Sequence, residues 1–363
     1  MTELEDADNA GKSAALVIEV ARDGSARFAS ITAALDYLMS RDDGLVPAVI
    51  RVAPGEYRER LAIRRPHLTI VASDWTVRPV RGGRPMQAGS SDAVRIAYDA
   101  AALEPSPDGQ GTRRGTFRTA TVFVDAHDVT LRGLTIANDA GSGSKAGQCI
   151  ALYADGDRLA IEDCTLLGHQ DTLFTGPLPP REIEPNGFLG PKRLSPRVVG
   201  RQLYRRCLIA GDIDFIFGSA RAFFEDCEIR SIGPGYVAAP STPEGEPYGY
   251  VFSHCAFTAG MDWMAASPAR AMPGPHSVAI ARPWRDYARA VLVDCRLGEH
   301  ILAEGWDDWN KPNARARARF AAIGPCGPGA VPRAWPSWAR ILPESDRAQY
   351  GRAAVLGDWE PEL

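Results

Sequence analysis

Short strands with one shared pattern of apolar and polar residues recur along the chain. Each begins with apolar residues, continues with two mostly polar residues and a cysteine, and ends in a short apolar–polar alternation. The segments are AIEDCTLLG (160–168), LYRRCLIAG (203–211), AFFEDCEIR (222–230), YVFSHCAFT (250–258) and AVLVDCRLG (290–298). HLTIVAS (67–73) and DVTLRGLTIAN (128–138) are similar but lack the cysteine. A short strand repeated about every twenty residues, with loops between, is typical of a solenoid.

The repeat predicts parallel strands that stack one per coil around a continuous interior. The recurring cysteine then faces inward, and Cys207 and Cys227 lie one coil apart, close enough for a disulfide in an oxidising compartment. An ordinary β-sandwich is the alternative. A sandwich should show hairpin turns such as Asn-Gly or Asp-Gly between neighbouring strands, whereas irregular loops rich in Pro and Gly separate these segments.

Two further patterns mark the two ends of the repeat. Residues 30–40, SITAALDYLMS, predict an amphipathic helix with its apolar residues at Ile31, Ala34, Leu35 and Leu38. Its place before the first strands suits a helix that caps the open end of a solenoid. After residue 304 the repeat is lost and tryptophans become frequent, which predicts a C-terminal wrap along the outside rather than a second domain.

Composition limits the class of protein. The net charge of −4 over 363 residues gives no reason to expect a nucleic-acid partner, and no apolar run reaches the length of about eighteen residues that predicts a membrane span. We expect a monomer with one domain over residues 15–363 and a disordered tail over 1–14. The acidic start does not resemble a signal peptide, so we expect a cytoplasmic protein if Met1 is native, and a secreted or periplasmic one if a signal was removed.

Carboxylates are the candidate reactive groups. The chain has no Gly-x-Ser-x-Gly motif, its GKS lacks the upstream glycine of a phosphate loop, and its six histidines show no metal-ligand spacing. Instead, Asp171 in LLGHQDTLF and Asp214 in AGDIDFIFG each interrupt an apolar run, where a carboxylate is costly unless it is paired. Arg282 in ARPWRDY can hold a carboxylate through two hydrogen bonds. A buried ion pair that only tethers coils is the alternative; two aspartates, one arginine and the amides of Gln148 and Gln170 together favour catalysis.

Five motifs in order resemble the pectin methylesterases. They are GEYRE (55–59), GQCIAL (147–152), GHQDTLF (168–174), DFIFG (214–218) and ARPW (281–284). YVAAPSTPEGEPYGYVF (236–252) and VLGDWEPEL (355–363) are similar to bacterial members. The resemblance implies an all-β, right-handed parallel β-helix, in agreement with the repeat. It also implies a carboxylic-ester hydrolase that removes methyl groups from methyl-esterified homogalacturonan or oligogalacturonides, with no metal or cofactor.

The resemblance assigns a role to each matched residue. Asp214 matches the nucleophile, Asp171 the general acid and base, and Arg282 the arginine that keeps the nucleophile ionised. Gln148 and Gln170 match the amides that stabilise the oxyanion. We expect substrate contacts at Thr116, Phe215, Tyr236, Trp284 and Trp309. These roles fit ester hydrolysis, because two neighbouring carboxyls split their proton affinities and so provide one nucleophile and one acid.

The sequence departs from the usual family pattern at three places, and these departures affect the expected size and type of substrate. His169 replaces a common tyrosine, IARPW replaces Leu-Gly-Arg-Pro-Trp, and the segment at 175–200 is longer than in most members. Loops after successive strands of a parallel solenoid emerge on one side, and six prolines stiffen this segment. We therefore expect it to form a wall beside the catalytic groove and to favour short methylated oligogalacturonides.

Three other functions are open at this point. A pectate lyase or polygalacturonase also uses a parallel β-helix, and fold alone does not decide function; a lyase of the usual kind needs clustered acidic calcium ligands, which the sequence does not place beside Arg282. A non-catalytic carbohydrate-binding solenoid would not need both aspartates, the arginine and both glutamines. A family member adapted to another ester is the third alternative.

Overall fold

The short apolar strands stack in parallel and wind into a right-handed β-helix, which confirms the fold predicted from the repeat. A computed structural model describes residues 15–41, 46–77, 79–81, 84–85, 94–107, 109, 112–261 and 272–361. The tail expected at 1–14 lies outside the described residues.

One face of the solenoid, the first ladder, collects the strands of the cysteine repeat. In the described part of the chain it has eleven parallel strands, which follow one another in chain order. They are Leu16–Val20, Ala48–Val52, Leu68–Ala72, Val129–Arg132, Leu159–Glu162, Arg201–Arg205, Arg221–Glu225, Tyr250–Ser253, Arg289–Val293, Arg319–Ile323 and Ala339–Ile341.

The other two faces form a thirteen-stranded sheet within the described residues. The second ladder contains Gly55–Tyr57, Val94–Tyr98, Thr135–Asn138, Thr165–Leu167, Ala256–Ala259 and Arg296–Leu297. The third ladder contains Leu61–Ile63, Val122–Val124, Leu152–Ala154, Leu173–Thr175 and Val278–Ala281. Two long strands, Leu208–Gly218 and Glu228–Pro240, run through both ladders and join them.

The recurring cysteine stabilises the corner that follows each first-ladder strand. The residue before each of these cysteines has a left-handed backbone, with φ between 52° and 54° at Asp163, Arg206, Asp226, His254 and Asp294. This conformation is more accessible to Asp and His than to most residues. Each buried thiol then donates to a carbonyl of the preceding coil, as in the 3.2 Å contact from Cys295 Sγ to the Phe252 oxygen. The inward cysteine ladder is thus present, and all seven cysteines are free thiols.

Aromatic rings stack along the interior because the coils are in register. Tyr204 pairs with Phe224, and Phe224 with Phe252, in adjacent strands. Their ring centroids lie 4.7 Å and 4.6 Å apart, with interplanar angles of 13° and 14°. All three side chains are fully buried, so they contribute apolar burial to three successive coils.

The N-terminal end is closed by the predicted helix, Ile31–Ser40. Its four predicted apolar residues are all buried, and the helix packs on strands of the first and third ladders. Ser30 Oγ accepts from Ala33 N at 3.1 Å, which caps the first turn. Glu59, from the GEYRE motif, accepts from the free N–H groups of Ile31 and Thr32 at 3.1 Å and 2.8 Å.

The C-terminal end corrects one expectation. The solenoid continues beyond residue 304, because Arg319–Ile323 and Ala339–Ile341 extend the first ladder. Trp306 stacks on Phe320 at 5.1 Å inside the core and closes the end. The outside wrap is confined to the last turns, where the helix Arg352–Leu356 packs on the strand Arg221–Glu225.

The remaining elements are short. They are the α-helices Gly143–Ala146 and Pro312–Arg317, the 3-10 helices Thr116–Arg118, Pro332–Ala334 and Glu344–Tyr350, and an antiparallel pair, Val80–Arg81 with Arg84–Pro85. Among the described residues, no helix is both long enough and apolar enough to span a membrane.

The ring stack provides a test of the core. Phe224→Ala should lower the free energy of unfolding by about 3–5 kcal/mol, because it removes a buried ring from a close-packed interior. Urea unfolding followed by circular dichroism measures the change. Cys326→Ser, at an exposed position, is the control and should stay within about 0.5 kcal/mol of the wild type. Equal stability of both variants would contradict the packing described here.

Candidate active site

Eight of the ten residues predicted from the sequence to act in catalysis or substrate contact border one open cavity of ≈ 300 Å³. They are Thr116, Gln148, Gln170, Asp171, Asp214, Arg282, Trp284 and Trp309. The cavity lies on the outer side of the third ladder, next to the strands Leu173–Thr175 and Leu208–Gly218. We call it the catalytic cavity.

Parallel register brings the two aspartates together. Leu173 pairs with Ile216 in neighbouring strands, and Asp171 and Asp214 each lie two residues before these partners. The Asp171 N–H donates to the Ile213 carbonyl at 3.1 Å. Neighbouring strands are about 4.8 Å apart, so the two carboxyl groups project from adjacent positions.

Both aspartates have a strained, left-handed backbone. Asp171 has φ 67° and Asp214 has φ 48°, in a region that costs a non-glycine residue about 1–3 kcal/mol. Asp214 also lies within an irregular stretch of its strand, where the register with Glu228–Pro240 shifts between Ile213 and Ile216. Such bulges redirect side chains and are common beside active sites. The shift leaves Asp214 on the outside of the solenoid while its neighbour Phe215 points inward.

Arg282 holds the Asp214 carboxylate through a bidentate pair of hydrogen bonds. Its Nε donates to Oδ1 at 2.8 Å and its Nη2 donates to Oδ2 at 2.6 Å. The guanidinium is also held between two rings, with its carbon 3.6 Å from the Tyr236 centroid and 3.7 Å from the Trp309 centroid. This arrangement fixes the plane of the arginine and therefore the direction of the carboxylate.

The two carboxyl groups differ in proton affinity. Burial, followed by the neighbouring charge of Asp214, raises the pKa of Asp171 well above the ordinary aspartate value. Burial also raises the pKa of Asp214, but the hydrogen bonds from Arg282 oppose this increase. Among the described residues, no arginine donates a hydrogen bond to Asp171, so Asp171 holds a proton more strongly than Asp214 does. The environment thus supplies one acid and one nucleophile.

Gln148 and Gln170 border the cavity with free amide groups. Within the described residues, neither side chain has a hydrogen-bond partner in the protein, so both amides are available to a bound molecule. Gln170 packs against Gly143, where a Cβ atom would lie 2.6 Å from Oε1. Gly143 is therefore the residue that leaves room for this amide, and no motif in the sequence indicates it.

Aromatic residues and the 175–200 segment complete the cavity. Phe117, Phe188, Phe217 and Trp284 form a cluster whose rings meet edge to face or at a tilt, with centroids 5.6 Å apart for Phe217 and Trp284. The segment contributes Phe188 to this cluster and also places Ile183, Glu184 and Gly187 on the border of the cavity.

Lys311 supports the tryptophan side of the cavity. Its Nζ lies 3.9 Å from the Trp309 centroid and donates to the carbonyls of Pro283 and Trp284 at 2.9 Å and 3.2 Å. Burial, together with the nearby charges of Arg285 and Arg282, lowers the pKa of Lys311 to about 8. Lys311 therefore links both tryptophans that border the cavity.

One predicted substrate contact, Phe215, requires correction. Phe215 is fully buried in the solenoid core, as is Ile216; the irregular stretch of strand turns Asp214 outward while the next two side chains point inward. Tyr236 is partly exposed and packs on Arg282 at the edge of the cavity, so its contact with substrate stays a prediction. Phe117, Phe188, Phe217 and Arg285 border the cavity but were not predicted. Arg285 lies within ARPWRDY and Phe217 within DFIFG, both quoted above, whereas Phe117 and Phe188 have no separate signal in the sequence.

The catalytic cavity has no cluster of metal ligands among the residues the structure describes. Elsewhere in the described part of the chain, His67, His127 and Asp128 form a group that could hold an ion, at the start of first-ladder strands. Its Asp128 carboxylate already accepts two hydrogen bonds from Arg158, at 2.6 Å and 2.5 Å.

The chain is similar to proteins of a known family. A model of the family described as Pectinesterase matches residues 106–177 and 197–358, which is more than half of the chain. The chain belongs to the pectinesterase family. The gap between the two matched ranges, residues 178–196, lies within the 175–200 segment, so this segment departs from the family pattern.

Individual relatives agree with this membership. "Probable pectinesterase/pectinesterase inhibitor 64" of Arabidopsis thaliana is 31% identical over 252 residues, which are 66% of this chain and 38% of that protein. The chain therefore spans well under half the length of that relative. Pectin methylesterase PemA from Erwinia chrysanthemi is 27% identical with a TM-score of 0.71, over 97% of this chain and 100% of that one. The same values describe a pectin methylesterase solved in complex with hexasaccharide VII.

The arginine contact predicts a change in pH dependence. Arg282→Lys keeps the positive charge but loses one hydrogen bond and the stacking between two rings, so kcat should fall at least about tenfold. The pKa of Asp214 should rise, and the acidic limb of the kcat/KM profile should move to higher pH.

The control is Arg201→Lys, since Arg201 makes a similar contact with Asp157 on the first ladder, at 2.9 Å and 2.7 Å. An acidic limb that stays in place in Arg282→Lys would show that Arg282 does not control the ionisation of Asp214.

Proposed function

We propose that this chain hydrolyses methyl esters of galacturonate, in pectin or its oligosaccharides, and releases methanol and a free carboxylate. The observation that carries the proposal is the asymmetric aspartate pair: Arg282 donates two hydrogen bonds to Asp214, and Asp171 is buried beside it with a raised pKa. The complex of a relative with a hexasaccharide supports an extended sugar ligand.

In the first step, a carboxylate oxygen of Asp214 attacks the C6 carbonyl carbon of the ester. The carbonyl oxygen gains the negative charge and accepts hydrogen bonds from the amides of Gln148 and Gln170; one donor of this kind contributes about 3–4 kcal/mol. The intermediate collapses as the bond to the methoxy oxygen breaks. Asp171 gives its proton to that oxygen, methanol leaves, and an anhydride between Asp214 and the galacturonate remains.

In the second step, Asp171 is an ionised base. It removes a proton from a water molecule, and the water oxygen attacks the C6 carbon of the anhydride. The bond from C6 to the Asp214 oxygen breaks, which releases the galacturonate product and restores the Asp214 carboxylate. Asp171 is protonated again, so both groups return to their starting states.

A lyase is the second candidate, and the structure favours it less. Bond cleavage by elimination needs a base at the sugar ring rather than an acid at a leaving methoxy group. The raised pKa of Asp171 suits the acid role, whereas no group in the described residues binds a metal at the cavity. Methanol release, measured against the absorbance of an unsaturated sugar product, separates the two reactions.

Removal of the nucleophile tests the mechanism. Asp214→Asn should lower methanol release from methylated oligogalacturonides by about three orders of magnitude or more, as expected when a covalent nucleophile is lost. The fold should survive, because asparagine also tolerates a left-handed backbone. Asp226→Asn, at a left-handed corner away from the cavity, is the matched control and should remain active. Methanol release near the wild-type level by folded Asp214→Asn would refute the mechanism.

The 175–200 segment predicts a preference for short substrates. Its residues on the border of the cavity limit how a long polymer can lie there, so kcat/KM should be higher for methylated trimers to hexamers than for high-methoxyl pectin. Removal of residues 182–186 should reduce this difference, while Phe188 keeps its place in the aromatic cluster.

The control substitution is Leu194→Ser, which lies in the same segment at a position that is 94% exposed and away from the cavity. The prediction is contradicted if the wild type has a higher kcat/KM for polymeric pectin and the shortened variant has the same preference.

A further inference from the structure

Two histidines and one aspartate meet at a corner of the first ladder, away from the catalytic cavity. The Oδ2 atom of Asp128 lies 2.5 Å from Nδ1 of His127 and 3.8 Å from Nδ1 of His67. The three candidate ligand atoms all lie within 4.8 Å of one another. We call these residues the His–Asp cluster. None of the three borders the catalytic cavity, so the proposed ester hydrolysis does not account for them.

Parallel register brings the His–Asp cluster together from two coils. Val129 pairs with Leu68 in neighbouring strands, so Asp128 and His67 occupy the same position in successive coils. Both have a left-handed backbone, with φ 54° at Asp128 and 52° at His67. The N–H of His67 also donates to the His127 carbonyl, at 3.4 Å. Two adjacent coils, about 4.8 Å apart, therefore present these side chains at one place.

The two imidazole rings are arranged around one carboxylate oxygen. Their centroids lie 5.2 Å apart with an interplanar angle of 84°, so the rings meet edge to face. An ordinary contact between histidine and aspartate needs one imidazole, whereas here the Nδ1 atoms of His67 and His127 both lie near Oδ2 of Asp128. Imidazole nitrogens and carboxylate oxygens are common ligands of Zn²⁺. Ca²⁺ and Mg²⁺ prefer oxygen ligands alone, so the donor set favours zinc.

Arg158 orients the carboxylate without using all of its lone pairs. Its Nε donates to Oδ1 of Asp128 at 2.6 Å, and its Nη2 donates to Oδ2 at 2.5 Å. An ionised carboxylate has about four lone-pair positions, so one position on each oxygen is left for a metal. Hydrogen bonds to a ligating carboxylate hold it in the direction of the ion. The charge of Arg158 also repels a cation, so we expect weaker binding than at a structural zinc site with four protein ligands.

The His–Asp cluster has room for an ion and for water. An open pocket of ≈ 680 Å³ on the outer side of the first ladder borders His67 and Asp128. The side chains of His67 and His127 are 34% and 49% exposed, so both rings can rotate. Zinc bonds of about 2.0–2.1 Å place tetrahedral ligands about 3.4 Å apart. This value lies between the two separations from Oδ2, 2.5 Å and 3.8 Å, so small rotations are sufficient.

We propose that His67, His127 and Asp128 bind a Zn²⁺ ion that joins two coils of the solenoid. The ligands are Nδ1 of each histidine and Oδ2 of the aspartate, and water from the pocket completes the coordination. The role of the ion is structural. His67 and His127 are sixty residues apart in the chain, and a metal that joins distant residues restricts the unfolded chain. Spacing along the sequence does not reveal the site, because the ligands come from separate coils. This inference does not depend on the proposed function.

Titration of the intact protein with a zinc salt, measured by isothermal titration calorimetry, tests the site. The wild type should bind Zn²⁺ at the His–Asp cluster, and its thermal unfolding temperature should rise as Zn²⁺ is added. His67→Asn and His127→Asn should each weaken binding at least about tenfold, because even residues that only orient a ligand change metal affinity by about 10- to 100-fold. Asparagine tolerates the left-handed backbone at position 67, so the fold should survive.

His254→Asn is the matched control. His254 also has a left-handed backbone at a first-ladder corner, with φ 54°, and its Nε2 lies 3.5 Å from Oδ2 of Asp294. Among the described residues, no second histidine joins that pair to form a metal-binding group. This variant should bind Zn²⁺ like the wild type. If the wild type binds no Zn²⁺, or if His67→Asn or His127→Asn binds it as tightly as His254→Asn does, the His–Asp cluster is not a zinc site.

Discussion

The fixed register between successive coils is the constraint on which the rest of the structure depends. A parallel β-helix stacks equivalent positions of each coil at one spacing, so a residue is placed by its position within its coil. Asp171 and Asp214 are 43 residues apart in the chain but occupy adjacent strands, as the pairing of Leu173 with Ile216 shows. The same register stacks Tyr204, Phe224 and Phe252 in the core and sets one corner cysteine above the next.

The candidate reactive groups lie where this regular register is interrupted. The register shift within Leu208–Gly218 and the left-handed backbone at Asp214 turn a carboxylate outward from an apolar strand. Arg282, held between Tyr236 and Trp309, then contacts that carboxylate and not the one at Asp171. Two identical side chains therefore differ in proton affinity because of their surroundings, and the proposed mechanism uses this difference: the carboxylate that contacts arginine is the nucleophile, and the buried carboxyl is the acid.

The sequence predicts what is repeated or carried by a motif. The cysteine pattern revealed the first ladder because each inward thiol meets a carbonyl of the preceding coil at the same corner. The pattern missed the last coils because Gly324 and Pro325 stand where Asp294 and Cys295 stand one coil earlier, although Arg319–Ile323 still pairs in register. Phe215 was predicted as a substrate contact, but the irregular stretch at Asp214 leaves Phe215 and Ile216 both inside the core. The roles of Gly143, Phe188 and Lys311 depend on contacts between distant segments, which no local pattern records.

The most direct test of this account is the protonation state of the aspartate pair. Infrared difference spectroscopy across a pH titration reports the C=O stretch of a protonated carboxyl group. Burial also raises the pKa of Asp155 to about 6, so the measurement is made in an Asp155→Asn background. We predict that in this background such a band persists well above the ordinary aspartate pKa of about 4, and that it disappears when Asp171→Asn is added but not when Asp226→Asn is added. If the Asp155→Asn protein has no such band, or if the added Asp171→Asn leaves it unchanged, Asp171 is not the buried acid and the division of roles between the two aspartates is wrong.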